Sequence, residues 1–158
     1  MTTIYIARHG QNEDNVRGIL NGPSPLGRAF ETAAIVAAEL ELAEPIIHDD
    51  LIERDFGIMT GKPAADIEEI CAPDIIKAEN VTYFLHPDGA ETFPELLARG
   101  QRVLDFMARQ HPDQTVLLAC HGDIGKMIYA AATSTPWRQV LTDFYFGNTD
   151  IIGPVDVL

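Results

Sequence analysis

The sequence predicts a layered α/β fold with a largely parallel sheet, and three observations carry the prediction. IYIARHG (Ile4–Gly10) and VLLACHG (Val116–Gly122) are apolar runs of strand length, and both stop at His-Gly. Long segments of helical period fill the interval between them and follow the second, and strands separated by helices favour parallel pairing. No linker or low-complexity tract interrupts the 158 residues. Residues 1–158 therefore read as one domain, which at this size buries about 70% of the surface its unfolded chain exposes.

The elements follow in order. Thr3 to Ala7 is a strand. RGILNGPSP, Arg17 to Pro25, is rich in Gly, Asn and Pro and reads as a loop. RAFETAAIVAAEL, Arg28 to Leu40, is helical, with Ala33, Ile35, Val36 and Leu40 set for burial. Residues 46–61, IIHDDLIERDFGIMTG, mix acids with apolar side chains and predict irregular structure, while Asp66 to Glu79 predicts a short helix broken near Pro73. In TFPELLARGQRVLDFMARQ, Thr92 and Glu95 form a capping box, and Leu96, Leu97, Val103, Leu104 and Met107 mark the buried stripe of a long helix. After the second strand, Thr115 to Cys120, helices are expected from Ile124 to Ala132 and from Pro136 to near Phe144.

Composition narrows the function. A hydrophobic content of 46% with 22% charged residues is that of a folded chain, and no apolar run approaches the ~20 residues of a membrane span. The opening MTTIYIARHG has no basic region ahead of an apolar stretch and does not read as a signal peptide, which points to the cytoplasm. A net charge of −13 repels nucleic acid and anionic membranes, so neither is an expected partner. Cys71 and Cys120 are too isolated for a disulfide framework or a zinc cluster and read as buried, reduced thiols.

With only 11 basic residues, the position of each is informative. A lone arginine is more commonly half of a surface ion pair, and a lone histidine at a strand mouth is more commonly a solvated turn residue. Here, however, Arg8-His9 and His121 both stand at strand ends. In open α/β sheets, ligands bind just beyond the carboxyl ends of strands, so His9 and His121 are expected to face one pocket. The glycines that follow let the chain turn and a ligand approach the backbone. GIMTGKP at Gly57–Pro63 faintly resembles a Walker A loop, but its spacing is short and Pro63 stands where Ser or Thr should bind magnesium. His9, His121, Asp123, Glu13 and Glu53 are conceivable metal ligands, yet no HExxH or paired-His spacing occurs, and Arg8 and Arg28 beside a divalent ion would crowd like charges. A metal-free anion site fits better, with no cofactor called for. Two arginines and two histidines suit a phosphoryl group, which a neutral imidazole can attack and hold covalently.

RHGQNEDN, Arg8 to Asn15, resembles the RHG signature of the histidine phosphatase superfamily, also called the phosphoglycerate mutase-like family. Four further stretches resemble the family's motifs in order: SPLGRAFETA (Ser24–Ala33), LIERDFG (Leu51–Gly57), HPDGAETF (His86–Phe93) and LLACHGDIGKMI (Leu117–Ile128). FGNTDII, around Asn148, is similar to the family's closing strand. The resemblance implies a three-layer sandwich. It makes His9 the nucleophile, Arg8, Arg28 and His121 the residues on the phosphoryl oxygens, and Glu53 the acid that protonates the leaving oxygen and later activates water. Asn15 matches a polar residue that helps hold the phosphate, and the Gly122 N–H is an additional donor. Such an acid needs a raised carboxyl pKa, for which Phe56 and Met59 offer an apolar setting.

Other residues have plainer readings. Asp123 reads as the cap of the helix after it, Thr92 as a helix cap before any phosphate contact, and Glu13 and Asp14 as surface charge. His48, His86 and His111 read as loop residues, with His86 near the pocket mouth. Asn12 stands where the family has Thr or Ser, a change of reach with a mild expected effect. NGP at residues 21–23 runs directly into SPLGRA, so relative to the family the chain lacks one helix and one strand, on the order of 30 to 40 residues. Either the chain is a shortened member, with Arg28 reaching the phosphate from a loop and a sheet edge open to partnering, or a segment belongs there that the sequence does not carry.

The expected activity is metal-independent hydrolysis of a small phosphorylated substrate through phosphohistidine, with a homo-oligomer through the open sheet edge among the expected partners. A phosphoglycerate mutase is the alternative within enzymes, disfavoured by the shortage of sequence for substrate-enclosing insertions. A phosphate-ester-binding regulatory module with little or no turnover is the alternative outside them.

Overall fold

A computed structural model describes residues 1–21 and 27–157. The junction at Gly22–Ser24, on which the question of the missing helix and strand turns, lies outside the described residues. The first strand, β1 (Thr2–Arg8), alternates buried and half-buried side chains, with Ile4 and Ile6 fully buried. It is followed by a short helix α1 (Glu13–Arg17) and by α2 (Arg28–Glu39). The segment 46–61 is irregular as expected, apart from two 3-10 turns. The short helix α3 (Ile67–Cys71) ends before Pro73, and the rest of the stretch forms β2 (Ile75–Lys77), which pairs antiparallel with β3 (Thr82–Phe84).

The long helix α4 (Phe93–Gln110) starts at the capping box: Thr92 Oγ1 accepts from the Glu95 N–H at 3.4 Å, and the Glu95 carboxylate accepts from the Thr92 N–H at 2.8 Å. β4 (Thr115–Cys120) leads into α5 (Gly122–Thr133), then α6 (Trp137–Asp143) and β5 (Ile151–Val157). Leu96, Val103 and Leu104 of α4 pack with Ile124, Met127 and Ile128 of α5 over Ile4, Ile6 and Leu118 of the sheet. Gly100 permits this approach, since a Cβ there would stand 3.1 Å from the backbone of Met127 and Ile128. Among the described residues no helix is long and apolar enough to cross a membrane.

Two expectations are corrected. The main sheet, in the order β4-β1-β5, is mixed rather than largely parallel: β1 and β4 run parallel, but β5 runs antiparallel to β1. The reason lies in where the chain enters β5. The Arg8 N–H donates to Asp150 O at 3.0 Å, so β5 starts beside the end of β1 and can only run back. The apolar stripe of α2 is the second correction. Ile35 and Leu40 are exposed, Ala33 and Val36 are half-buried, and Ala37 is the buried residue. Helical spacing specifies a common face but not that something covers it.

Candidate active site

The parallel register sets Arg8 beside Cys120, so the next residues of the two strands become neighbours. The His9 N–H donates to Cys120 O at 3.1 Å, and the His9 and His121 ring centroids lie 5.1 Å apart, edge to face. Both rings are buried. His9 Nδ1 lies 2.6 Å from Gly10 O and so carries the proton, while Nε2 accepts from Arg28 Nε at 2.9 Å. The tautomer is thereby fixed with a lone pair on Nε2. Burial lowers the His9 pKa from 6.5 to about 4 against the opposing Gly10 bond, with the charges of Arg28, Arg8 and any proton on His121 adding to the fall. Burial and the nearby Arg28, Arg8 and Arg99 lower that of His121 to about 3. Both imidazoles are neutral near neutral pH.

Arg28 opens α2, and its guanidinium also reaches Asn21 O. Arg8, the last residue of β1, donates from Nη1 to Phe146 O at 2.5 Å and lies flat against Gly122, where a Cβ would meet its Cζ at 3.5 Å. Arg8 Nε and His121 Nδ1 are buried and have no partner among the described residues. A buried donor without an acceptor costs free energy, so a site that leaves cationic N–H groups open is suited to an anion.

Glu53 is buried and sits on the N-terminus of α5. Its Oε1 accepts from the backbone N–H of Arg54 at 2.8 Å and of Ile124 at 3.2 Å, and its Oε2 from that of Asp123 at 3.3 Å. A helix start leaves orphan N–H groups. Glu53 takes two of them, and the Gly122 N–H has no acceptor among the described residues. Asp123 is therefore not the cap it was expected to be. Its carboxylate pairs with Arg54 Nε at 2.9 Å, while Arg54, buried between the Phe84 and Phe93 rings, also donates to Phe84 O. Burial and the neighbouring Glu53 raise the Asp123 pKa, and Arg54 pulls it back. Arg99 of α4 fixes the loop that carries Glu53, donating to Asp50 O, Ile52 O and Glu53 O and to the Glu91 carboxylate. Phe56 lines the cavity beside Glu53, whereas Met59 is buried in the cluster with Phe56 and Phe84.

Asn15 lies in α1, a helix absent from the sequence reading because the polar run NEDN hides a capping box: Asn12 Oδ1 accepts from the Asn15 N–H at 3.0 Å, and Asn15 Oδ1 from the Asn12 N–H at 3.3 Å. Asn148 Nδ2 donates to both Asn15 Oδ1 and His9 O, tying the two. Arg8, His9, Asn15, Arg28, Glu53 and Gly122 line one cavity of about 170 Å³. His121 touches the ring of His9 but lines an adjoining groove instead. Tyr83 and Lys126 line the cavity and carried no signal in the sequence. Lys126 Nζ donates to Tyr83 Oη at 2.7 Å and Phe144 O at 2.6 Å, and burial lowers its pKa to about 8. His86 is exposed, 3.7 Å from an Asp74 carboxylate oxygen, and does not line the cavity. Cys71 and Cys120 are buried free thiols. Among the described residues no group of three or more His, Cys, Asp or Glu side chains is placed to hold a metal ion.

A family model for the histidine phosphatase superfamily (branch 1) matches residues 22–152. The match opens after β1 and α1, so Arg8 and His9 are joined to it by the β1–β4 pairing and Asn15 by its bond from Asn148. The chain is 31% identical to the bifunctional protein Rv2228c of Mycobacterium tuberculosis over 128 residues, 81% of this chain and 33% of that one. It is 30% identical to a metal-independent phosphoserine phosphatase of Arabidopsis thaliana over 113 residues, 70% of this chain and 47% of that one. It thus spans a third to a half of the length of these curated relatives. The solved structure of Bacillus stearothermophilus YhfR is similar with a TM-score of 0.77 at 24% identity, covering 96% of this chain and 89% of that one.

Proposed function

The chain belongs to the histidine phosphatase superfamily (branch 1), and from that premise we propose that it hydrolyses small phosphomonoesters through a phosphohistidine on His9, without a metal or other cofactor. The observation that carries the reading is the fixed tautomer of His9: Nδ1–H on Gly10 O leaves the Nε2 lone pair facing the guanidinium of Arg28. A dianionic phosphoryl group entering the cavity would draw Arg28 from Nε2 to its own oxygens. Arg8 Nε, the Gly122 N–H, Asn15 and an N–H of His121 are the other donors assigned to those oxygens.

Nε2 then forms a bond to phosphorus as the ester P–O bond breaks, and the carboxylic acid of Glu53 gives its proton to the departing alkoxide. In the second half Glu53, now carboxylate, takes a proton from water, whose oxygen attacks phosphorus and releases His9 with inorganic phosphate. The cavity of about 170 Å³ suits a compact leaving group. The similarity to a metal-independent phosphoserine phosphatase supports hydrolysis without a metal. We further take residues 1–158 as one cytoplasmic unit of a three-layer sandwich lacking one helix and one strand.

Phosphohistidine is a phosphoramidate, stable in alkali and labile in acid. Brief incubation with a labelled phosphomonoester and a quench at high pH should leave label on the native protein and none on His9→Ala, with EDTA leaving the rate unchanged. Equal labelling of both proteins, or a loss in EDTA restored by zinc or magnesium, would overturn the assignment.

A further inference from the structure

Among the described residues β4 is one of the two edge strands of the main sheet. The bonds from the Thr3 N–H to Gln114 O and from the His9 N–H to Cys120 O turn the even-numbered residues of this stretch toward β1. In a parallel ladder, the N–H and C=O of Thr115, Leu117 and Ala119 must then point the other way. No hydrogen bond engages them among the described residues. Beside this open edge runs a groove of about 520 Å³, walled by α2, by the segment 44–52 and by the end of α4. Phe30, Ile46, Ile47 and Leu117 line it and are 38% to 84% exposed. An apolar trough alongside unpaired strand edges is a surface built to receive a strand.

We infer that the occupant is a second copy of this chain, with β4 pairing antiparallel to β4 of its partner about a two-fold axis at Leu117. The edge is self-complementary in that register: Leu117 faces Leu117, and Thr115 faces Ala119, so the outward residues form hydrogen-bonded pairs, each exchanging both N–H···O bonds. The area agrees. Complete coverage of these four large apolar side chains, with the half-buried Leu51, Ile52 and Phe106, would remove roughly 500 Å² per copy and about 1,000 Å² for the pair, the least that a specific interface needs. Exposed Glu44 stands in the groove wall, and the chain as a whole carries a net charge of −13. Two copies of an acidic chain repel, so association strengthens with salt.

Sedimentation equilibrium of the full chain over about a hundredfold range of concentration tests this by mass action. The expected result is a concentration-dependent shift to twice the chain mass, greater in high salt and abolished by Leu117→Lys and by Ile46→Lys with the far-UV circular dichroism unchanged. Ile46 is 84% exposed, so its substitution leaves the fold intact and keeps the test decisive if Leu117→Lys misfolds. Facing Cα atoms in a hydrogen-bonded antiparallel pair lie about 5.5 Å apart, within disulfide reach. Leu117→Cys should therefore form a disulfide dimer under mild oxidation, and Thr115→Cys should not. A native chain that stays monomeric throughout in high salt overturns the inference, as does a dimer indifferent to both lysine variants. So does a monomer whose groove instead takes up an apolar dye that Ile46→Lys excludes.

Discussion

Arg28 donates its Nε–H to Nε2 of His9 at 2.9 Å, so the lone pair assigned to attack phosphorus is held by the cation assigned to bind it. Without substrate the two residues satisfy each other. Removing Arg28 should uncouple reactivity from catalysis. Arg28→Ala should speed modification of His9 by diethyl pyrocarbonate while lowering phosphatase kcat about 10²-fold or more, the usual cost of deleting one transition-state donor. A parallel loss of both would mean that Arg28 merely holds the ring in place.

Glu53→Gln separates proton donation from support. If Glu53 protonates the leaving oxygen, alkyl phosphates should slow by roughly 10² or more, while p-nitrophenyl phosphate, whose phenolate leaves unaided, should slow little. Stability should fall as well. Both carboxylate oxygens accept backbone N–H groups, and an amide turns one of them into a donor facing a donor, at a cost of about 1–3 kcal/mol. Comparing the two substrates with a urea titration of the same variant measures both effects, and equal slowing on the two esters refutes the role in proton transfer.

Acid should destabilise the fold through the two histidines. Their folded pKa values of about 4 and about 3 lie below the unfolded value of 6.5, so the unfolded chain takes up protons first as pH falls. This stabilisation is complete above about pH 6.5 and is lost on descent toward about pH 4 for His9 and about pH 3 for His121, on the order of 2 kcal/mol for each between about pH 7 and about pH 5. Urea titrations at the two pH values should show a smaller drop for His9→Asn than for the native protein. An unchanged drop would place the acid sensitivity elsewhere.

The Arg54–Asp123 pair should behave as a buried ion pair. Asp123→Ala leaves the Arg54 guanidinium among Phe84 and Phe93 without its carboxylate, an expected loss of about 3–5 kcal/mol. Adding Arg54→Met should recover part of it, because the uncompensated charge goes too. If the double variant unfolds as early as Asp123→Ala, the damage comes from lost packing at Asp123.

The strands carrying His9 and His121 were legible because each is an apolar run with its functional residue at the end, and parallel pairing in register does the rest. The start of α4 was legible for a similarly local reason, the Thr92–Glu95 reciprocal bonds. What escaped reading depends on distant partners. Arg54, Arg99 and Lys126 look like solvated charges in sequence, yet their counter-charges and carbonyls arrive from positions 8 to 69 residues away. The direction of β5 was hidden because a strand's sequence carries no sign of which end of the sheet the chain enters. The uncovered face of α2 escaped because periodicity reports which residues share a side, not whether a neighbour is there.

Arg99 has a kinetic consequence. The stretch around Glu53 has no regular secondary structure, and by its shape it should open and close freely. It is instead bolted to the middle of a core helix by one guanidinium that spans three carbonyls and a carboxylate. Local opening of this loop requires α4 to release that group, so the backbone amide of Arg54, shielded on Glu53, should exchange its hydrogen with solvent at the pace of global unfolding, like a helix interior. In Arg99→Leu the same amide should exchange orders of magnitude sooner, while amides along β1 keep their native lifetimes.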